Sequence, residues 1–335
     1  MKYLIVCSSS GGHIYPGLNF ASYLNKCGET VHFLGIKGQI EEKIIKENLY
    51  AFDIPKSFKK MLKNPFKMLS QINKVNKFVE EYDVIVGFGG FITYFVSLLP
   101  CIKRKLFYLH EANVDIGDSN LFSLKKAKRI FTSFKVTKHK HFQNKIDYVG
   151  NPVSDEILLK PYKKEYISFI FGSLGSKTLL DKVSQYLLNQ NDNEQYLLVT
   201  SNKYYEEYYQ KLNHIKNLKI ISFIDKNELY SRSKLIFCRG GASTLAEVMK
   251  ANINCVCIPS PYVKHNHQFN NAYLLNSHHA LSLIEEKDFS LTKIKDYIKL
   301  YKSKYGKLEL LNQKYFVKND VALLMYLRIK NDLNS

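Results

Sequence analysis

The sequence predicts an α/β protein with two doubly wound parallel-sheet (Rossmann-like) domains that face each other across a ligand cleft. Short apolar runs alternate with longer segments of three- and four-residue apolar spacing, a pattern typical of repeated strand–helix–strand units. The chain has 335 residues, which suits two domains of roughly 150 residues each. A stretch rich in proline and charge, 150–166, separates two series of apolar runs and is the predicted linker.

The apolar runs predict the strands in chain order. In the first series they are 3–6, 31–35, 83–88, 105–109, 129–134 and 146–150. In the second series they are 167–172, 195–201, 218–223, 234–238 and 253–259. Residues 290–334 show no strand pattern and predict helices. We therefore expect domains at 1–155 and 156–310, with a C-terminal helix in 311–335 that packs back toward the first domain.

The composition favours anionic partners. Lysine and arginine outnumber aspartate and glutamate by 49 to 30, which gives a formal net charge of +19. Such a charge attracts anionic lipid, phosphorylated small molecules or nucleic acid. No aromatic–basic motif of a known RNA-binding module is present, so nucleic acid is not the expected partner. No run approaches the roughly 20 apolar residues of a bilayer span, and the first run leads into glycines like a strand, which predicts a cytoplasmic protein.

Cysteine and histidine spacing predicts neither a disulfide framework nor a metal site. The six cysteines form no CxxC pair, and most lie in apolar runs where cysteine packs as a small hydrophobe. The histidine pairs 139/141 and 278/279 have no carboxylates at ligand spacing. We expect no metal and no other cofactor.

The turn after the first predicted strand carries the first candidate site. Ser8 to Gly12 must turn tightly into a helix, and glycine permits both the turn and a close approach of ligand to the backbone. The amides at the helix start can bind a phosphate or another anion. His13 follows at the helix N-terminus, where the neutral imidazole is favoured, so it is a candidate general base. The alternative is a histidine that only caps the turn.

Three further glycine-rich turns follow predicted strands, at 86–93, 171–178 and 238–247. The second is not a nucleotide-hydrolase phosphate loop, because Ser176 separates Gly175 from Lys177. Glycine is common in any turn, but four such turns at strand ends in two domains indicate a phosphorylated ligand. Their arrangement favours a sugar nucleotide with its diphosphate at the helix starts.

Three polar side chains near these turns are candidates for sugar binding. Glu247 lies about one turn after Thr244, where its carboxylate can accept both hydroxyls of a ribose. Gln268 and Asn271 lie on one helix face and can present amides to sugar hydroxyls. The alternatives are an ordinary solvated helix glutamate and an ordinary polar helix start.

With these turns in place, the sequence resembles the MurG-type glycosyltransferases, which have the GT-B fold. The resemblance rests on eight segments in the family's order: SSSGGHIYPGL (8–18), VGFGGFIT (86–93), LHEANVDIG (109–117), VGNPVS (149–154), FGSLGS (171–176), FIDKNEL (223–229), RGGASTLAE (239–247) and HNHQFNNA (265–272). It covers nearly the whole chain. It implies an enzyme that moves N-acetylglucosamine from UDP onto a lipid-linked muramyl peptide in peptidoglycan synthesis.

The resemblance also implies roles for individual residues. His13 and Glu111 would lie on the acceptor side, near the reacting centre. The residues that would contact the donor's phosphates and sugar from the first domain are Ser10, Gly11, Gly12 and Asn113. In the second domain Ser173 would contact the diphosphate, Ile224 the uracil and Gln268 the sugar. Phosphates and ribose would be held by Ala242, Ser243, Thr244, Leu245, Ala246 and Glu247, with Glu247 on the ribose hydroxyls.

Several positions depart from the family pattern. Ser8 and Ser9 replace glycines of the first loop, and Ala112 replaces a glutamine in the HEAN segment. Ser154 stands where the family has an arginine that meets the donor, and Lys177 or another cation could substitute for it. The first of the family's paired glutamines is His267.

Residues 56–82 predict a membrane-facing surface. Lys59, Lys60, Lys63 and Lys67 alternate there with phenylalanine, methionine and leucine, a pattern that can rest on anionic headgroups. The alternative is an amphipathic helix whose apolar face packs into the first domain. Because the family's first domain binds the membrane, the resemblance favours a peripheral protein on the cytoplasmic face.

The expected mechanism is a single displacement with inversion at the anomeric carbon, assisted by His13 or less readily by Glu111. Three alternatives stay open. One is a UDP-sugar:diacylglycerol glycosyltransferase. Another is a UDP-sugar hydrolase or epimerase of the same fold. The third, suggested by charge alone, is a nucleic-acid-binding protein without catalytic activity.

Overall fold

A computed structural model describes residues 1–8, 10–55, 65–154, 163–172 and 175–334, with only the backbone described for 65–68. The chain forms two compact units. The first comprises Met1–Val153 and Lys318–Ser335, and the second comprises Ser154–Val317. The first unit is therefore assembled from two separate parts of the chain.

The first unit is built on a sheet of seven parallel strands in the order β3-β2-β1-β4-β5-β6-β7. They are β1 Lys2–Val6, β2 Thr30–Ile36, β3 Leu49–Phe52, β4 Val84–Gly87, β5 Leu106–Glu111, β6 Arg129–Thr132 and β7 Ile146–Tyr148. The α-helices described in this unit are α1 Gly11–Lys26, α2 Glu41–Ile44, α3 Pro65–Glu80, α4 Phe91–Ser97, α5 Asp118–Ser123 and α13 Val321–Leu333. The apolar runs predicted as strands form its interior because a parallel sheet is buried on both faces.

The second unit repeats this plan with six parallel strands in the order β10-β9-β8-β11-β12-β13. They are β8 Tyr166–Ile170, β9 Gln195–Val199, β10 Leu218–Ile221, β11 Ser233–Cys238, β12 Asn254–Cys257 and β13 Ser282–Leu283. Its described α-helices are α6 Lys177–Asn189, α7 Tyr205–Leu212, α8 Lys226–Arg232, α9 Ala242–Lys250, α10 His267–Ser277, α11 Leu291–Tyr301 and α12 Lys304–Gln313. The predicted α/β class with two doubly wound parallel sheets is confirmed.

Strand order reverses once in each sheet, and this places the candidate turns together. In the first sheet β1 pairs with both β2 and β4, so the turns after β1 and β4 lie side by side at the reversal. In the second sheet β8 pairs with both β9 and β11, so the carboxyl ends of β8 and β11 are neighbours. Ligands of doubly wound sheets bind at this reversal, at the carboxyl ends of the strands.

Helix α3 shows what the described part of the predicted membrane-facing segment does. Val75 and Val79 are fully buried, and Ile72 and Phe78 pack against the core of the first unit. The second half of α3 therefore packs as an amphipathic helix. The lysine-rich residues 56–64 and the side chains of 65–68 lie outside the described residues. Among the described helices, none combines the length and hydrophobicity that crossing a bilayer requires.

Candidate active site

His13 lies in the first turn of α1, just after the turn that follows β1, and a backbone contact fixes the orientation of its ring. Ser10 precedes α1 in an extended conformation, and its carbonyl accepts from the amides of His13 and Ile14 at 3.1 and 3.2 Å. The Nδ1 atom of His13 lies 3.0 Å from the Ser8 carbonyl oxygen. Because a carbonyl only accepts hydrogen bonds, Nδ1 carries the proton in the neutral ring and Nε2 keeps its lone pair. His13 thus has the tautomer that a base acting through Nε2 requires.

Two glycines of the turn after β4 make room for this arrangement. Gly89 and Gly90 have φ values of +101° and +80°, which favour glycine. A Cβ on Gly89 would lie 3.0 Å from the His13 ring, and a Cβ on Gly90 would lie 2.7 Å from Ser8 Oγ. The glycines of segment 86–93 therefore leave the space that Ser8 and the His13 ring occupy. Ser10, Gly11 and Gly12 lie beside it at the partly exposed start of α1.

Glu111, the second candidate base, is occupied by its own loop. Its Oε1 accepts from the backbone and side-chain nitrogens of Asn113, both at 3.0 Å. Its Oε2 accepts from the Gly117 amide at 2.9 Å and from Asn120 Nδ2 at 2.8 Å. These four hydrogen bonds to the carboxylate hold the segment after β5 in place. The side chain of Asn113 provides one of them. The hydrogen bonds therefore give Glu111 a structural role in this segment.

His110 and Asn120 adjoin the candidate residue Glu111 and were not singled out from the sequence. His110 is 1% exposed and donates from Nε2 to the Gly150 carbonyl at 3.2 Å. Burial lowers the pKa of His110 to about 4, despite that hydrogen bond, so the ring is neutral. Asn120 bridges the His110 carbonyl and Glu111. In the sequence, His110 could have been noticed because it lies near the end of an apolar strand. No local pattern distinguishes Asn120.

In the second unit the start of α9 presents the predicted phosphate-binding segment. Gly241 precedes the helix, and its carbonyl accepts from Leu245 at 2.9 Å. Ala242 and Leu245 have buried side chains, whereas Ser243, Thr244 and Ala246 are partly exposed. Leu245 thus has a core side chain, and an interaction with ligand would involve its backbone. The positive end of the helix dipole lies at this turn.

Glu247 is buried at 4% exposure with its carboxylate held by two side chains of α8. Lys226 Nζ lies 2.6 Å from Oε1, and the Tyr230 hydroxyl donates to Oε2 at 2.8 Å. Sequence reasoning identified Glu247 but missed both partners. Burial and the Glu247 charge hold the pKa of Tyr230 well above its ordinary value, so the hydroxyl stays a donor.

Gln268 and Asn271 share a face of α10, but the structure uses them differently. Gln268 is partly exposed, and its Oε1 accepts from the Ser260 amide at 2.9 Å. Asn271 is fully buried and donates to the Gly240 carbonyl at 3.3 Å. Asn271 therefore supports the turn after β11, and of the two only Gln268 reaches the surface. Gly240 packs so closely on the Gln268 backbone that no side chain fits there.

The remaining predicted donor residues are dispersed along the second unit. Ile224 is partly exposed and follows Phe223, an aromatic residue that is 81% exposed and that sequence reasoning did not single out. Ser154 is partly buried. Ser173 lies outside the described residues. Lys177 forms an exposed ion pair with Glu207 at 2.7 Å.

Metal-ligating side chains do not cluster in the described part of the chain. No group of three or more histidine, cysteine, aspartate or glutamate side chains there could hold a metal ion. All six cysteines are free thiols.

Comparison with known proteins gives a consistent result over both units. The N-terminal domain of glycosyltransferase family 28 matches residues 3–132, and its C-terminal domain matches residues 166–322. A Thermoanaerobacter protein, strain X514, is 30% identical, and the alignment covers 89% of this chain and 90% of that protein. It is named UDP-N-acetylglucosamine--N-acetylmuramyl-(pentapeptide) pyrophosphoryl-undecaprenol N-acetylglucosamine transferase.

Two further comparisons agree. A protein of the same name from Caldanaerobacter subterraneus is 26% identical, with 94% of each chain covered. The crystal structure of Acinetobacter baumannii MurG superposes with a TM-score of 0.79 at 22% identity, covering 99% of this chain and 100% of that one. That structural likeness supports the fold. On the sequence matches, this chain belongs to glycosyltransferase family 28.

Proposed function

We propose that this chain transfers N-acetylglucosamine from UDP-N-acetylglucosamine to N-acetylmuramyl-(pentapeptide) pyrophosphoryl-undecaprenol, the step from lipid I to lipid II in peptidoglycan synthesis. The names of the two bacterial relatives support this donor and this acceptor. The reaction requires a base for the acceptor hydroxyl and a site for the departing diphosphate. The described residues offer candidates for both.

The observation that carries the proposal is the hydrogen bond between His13 Nδ1 and the Ser8 carbonyl. It leaves Nε2 as an acceptor at the reversal of the first sheet. In the proposed reaction the acceptor hydroxyl attacks the anomeric carbon while its proton passes to Nε2. The bond between that carbon and the diphosphate oxygen breaks, and UDP leaves with the electron pair. The product has the inverted, β configuration.

The departing diphosphate is the main electrostatic demand of this reaction. We assign it to the start of α9 with Ser243 and Thr244 and, on the family resemblance, to Ser173, which follows β8 in the sequence. Glu247 would accept the ribose hydroxyls, Ile224 would frame the uracil and Gln268 would bind the sugar. Ser10, Gly11, Gly12 and Asn113 would complete the donor contacts from the first unit.

The lipid-linked acceptor requires contact with a membrane, and the first unit offers a surface for it. Leu121 and Phe122 on α5 and Val136 after β6 are exposed, with Phe122 at 67%. Exposed lysines follow or flank them in the sequence: Lys125, Lys126, Lys135, Lys138 and Lys140. Apolar side chains among lysines suit insertion into an anionic headgroup layer. We call these eight residues the α5 surface and propose that it rests on the cytoplasmic face of the membrane.

Replacement of His13 tests the proposal. We expect H13A to reduce turnover by roughly 10²–10⁴-fold while UDP binding stays within about threefold of wild type, because only the proton acceptor is lost. The measurement is transfer of labelled N-acetylglucosamine to the lipid-linked acceptor, with UDP binding followed by thermal shift.

H141A, which removes an exposed histidine, is the control and should transfer at the wild-type rate. Full activity of H13A would remove His13 from the mechanism. A parallel assay with diacylglycerol as acceptor tests the main alternative, and transfer to diacylglycerol alone would overturn the proposed substrate.

A further inference from the structure

The ion pair between Glu247 and Lys226 joins two consecutive helices, α8 and α9, which are separated in the chain by β11. Glu247 lies in the second turn of α9, and its partners Lys226 and Tyr230 lie four residues apart on one face of α8. The Lys226 ammonium approaches Oε1 at 2.6 Å, and the Tyr230 hydroxyl approaches Oε2 at 2.8 Å. Each carboxylate oxygen therefore has one side-chain donor.

The hydrogen-bonding capacity of this carboxylate matches a vicinal diol. An ionised carboxylate offers about four lone-pair positions, two on each oxygen. Lys226 and Tyr230 occupy one position on each, and no other described residue donates to Glu247. One acceptor position per oxygen remains, which is what the two hydroxyls of a ribose require. Tyr230 is buried at 2% exposure and is thus fixed, whereas Lys226 is about two-fifths exposed.

Lys226 is exposed enough to contact a ligand directly, whereas Tyr230 is not. A ribose hydroxyl that donates to Oε1 must lie beside the ammonium already bound to that oxygen. The hydroxyl oxygen keeps lone pairs when it donates, so it can accept from Lys226 at the same time. Hydrogen bonds with one charged partner are about twice as strong as neutral ones, so this contact would contribute substantially to recognition.

We propose that Lys226 is a further donor-binding residue, and that its ammonium and the Glu247 carboxylate together bind one hydroxyl of the nucleotide's ribose. The hydroxyl donates to Glu247 Oε1 and accepts from Lys226 Nζ. This inference rests on the proposed function, because it takes a uridine diphosphate sugar as the ligand. It adds a specificity for ribonucleotides over deoxyribonucleotides that depends on a lysine.

The test compares UDP with 2′-deoxy-UDP and 3′-deoxy-UDP by calorimetric titration. Wild-type protein should bind UDP at least tenfold more tightly than one of the two deoxy analogues. K226M should weaken UDP binding by about tenfold or more and bind that analogue within about threefold of UDP. K226R, which keeps the charge, should restore part of the preference. With UDP-N-acetylglucosamine as substrate, K226M should raise KM more than it lowers kcat.

The matched control is K219M. Lys219 pairs with Glu228 of the same helix α8 at 3.6 Å, and both side chains are more than one-third exposed. K219M should keep the wild-type affinities. The proposal is overturned if K226M binds UDP as tightly as wild type does. It is also overturned if K226M loses affinity for UDP and for both analogues by the same factor. Failure of wild-type protein to bind UDP would instead refute the proposed function.

Discussion

Glu309 illustrates how one buried side chain ties stability to pH. Its carboxyl contacts β12 and β13, where it accepts from the Cys255 amide at 2.6 Å and from Ser282 Oγ at 3.4 Å. It is 3% exposed. Burial raises the pKa of Glu309 to about 8, with both hydrogen bonds opposing the shift. The group therefore holds its proton at neutral pH in the folded protein and loses it there when the chain unfolds.

Linkage gives the sign of the effect. Between the ordinary pKa of 4.5 and about 8, the folded state binds one proton more than the unfolded state at Glu309. The free energy of unfolding therefore falls as pH rises through this window. E309Q lacks this titration. Its free energy of unfolding, relative to that of wild type, should therefore rise by roughly 2–4 kcal/mol between pH 5 and pH 8.5.

Thermal unfolding of both proteins across that pH range measures the difference. E285Q, which alters an exposed glutamate of the same unit, is the control and should follow wild type. A constant difference between E309Q and wild type at all pH values would contradict the assignment.

At the scale of elements, a single buried carboxylate attaches α13 to the first sheet. Its Asp332 accepts from Arg129 Nε and Nη2 at 2.8 and 2.7 Å and from the Tyr108 hydroxyl at 3.1 Å. Arg129 begins β6 and Tyr108 lies on β5. The hydrogen bonds from Arg129 come first among the causes that lower the pKa of Asp332. One carboxylate thus fixes a helix to two strands.

We expect D332N to lower the free energy of unfolding by about 2–4 kcal/mol, because Arg129 would lose the nearer and more buried of its two carboxylate partners and keep only Asp147 at 3.8 Å. Chemical denaturation at pH 7 measures the loss. Since the pKa of Asp332 is lowered in the folded state, its contribution is present above pH 4 and disappears as pH falls below the ordinary value of 3.8.

The cost of D332N should therefore shrink in acid. E207Q removes the exposed partner of Lys177 and should cost less than about 0.5 kcal/mol. An equal decrease in the free energy of unfolding in D332N and E207Q would contradict the role of Asp332 in attaching α13 to the sheet.

The elements also show what sequence patterns predict and what they miss. Apolar runs located the central strands because strands buried on both faces need continuous apolar side chains. β3 was missed because it is an edge strand with mostly half-exposed residues, and β13 because only two of its residues pair. Glycine turns and His13 were predictable from local sequence. Lys226 was not, because its pairing with Glu247 arises only when α8 and α9 pack together.

At the scale of the whole molecule, the net charge of +19 sets how the chain meets its surroundings. We expect it to bind vesicles containing anionic lipid and to leave neutral phosphatidylcholine vesicles unbound. Raising salt from 0.1 to 0.5 M should weaken that binding strongly, since the Debye length falls from about 10 Å toward 4 Å.

Vesicle co-sedimentation measures both effects, and F122S tests the α5 surface by removing its most exposed apolar side chain. We expect F122S to weaken binding at every salt concentration by a similar factor. Y315S, which alters an even more exposed aromatic residue of the second unit, is the control. Equal weakening in both variants would place the membrane contact elsewhere.

The return of the chain to its first unit has a consequence for synthesis. Val321, Met325 and Ile329 belong to the same apolar cluster as the side chains of β1 and α1. During translation this apolar cluster cannot be completed until more than 160 intervening residues (154–317) have left the ribosome. The second unit, being continuous, has no such delay. The half of the protein that begins first is thus the half that finishes last.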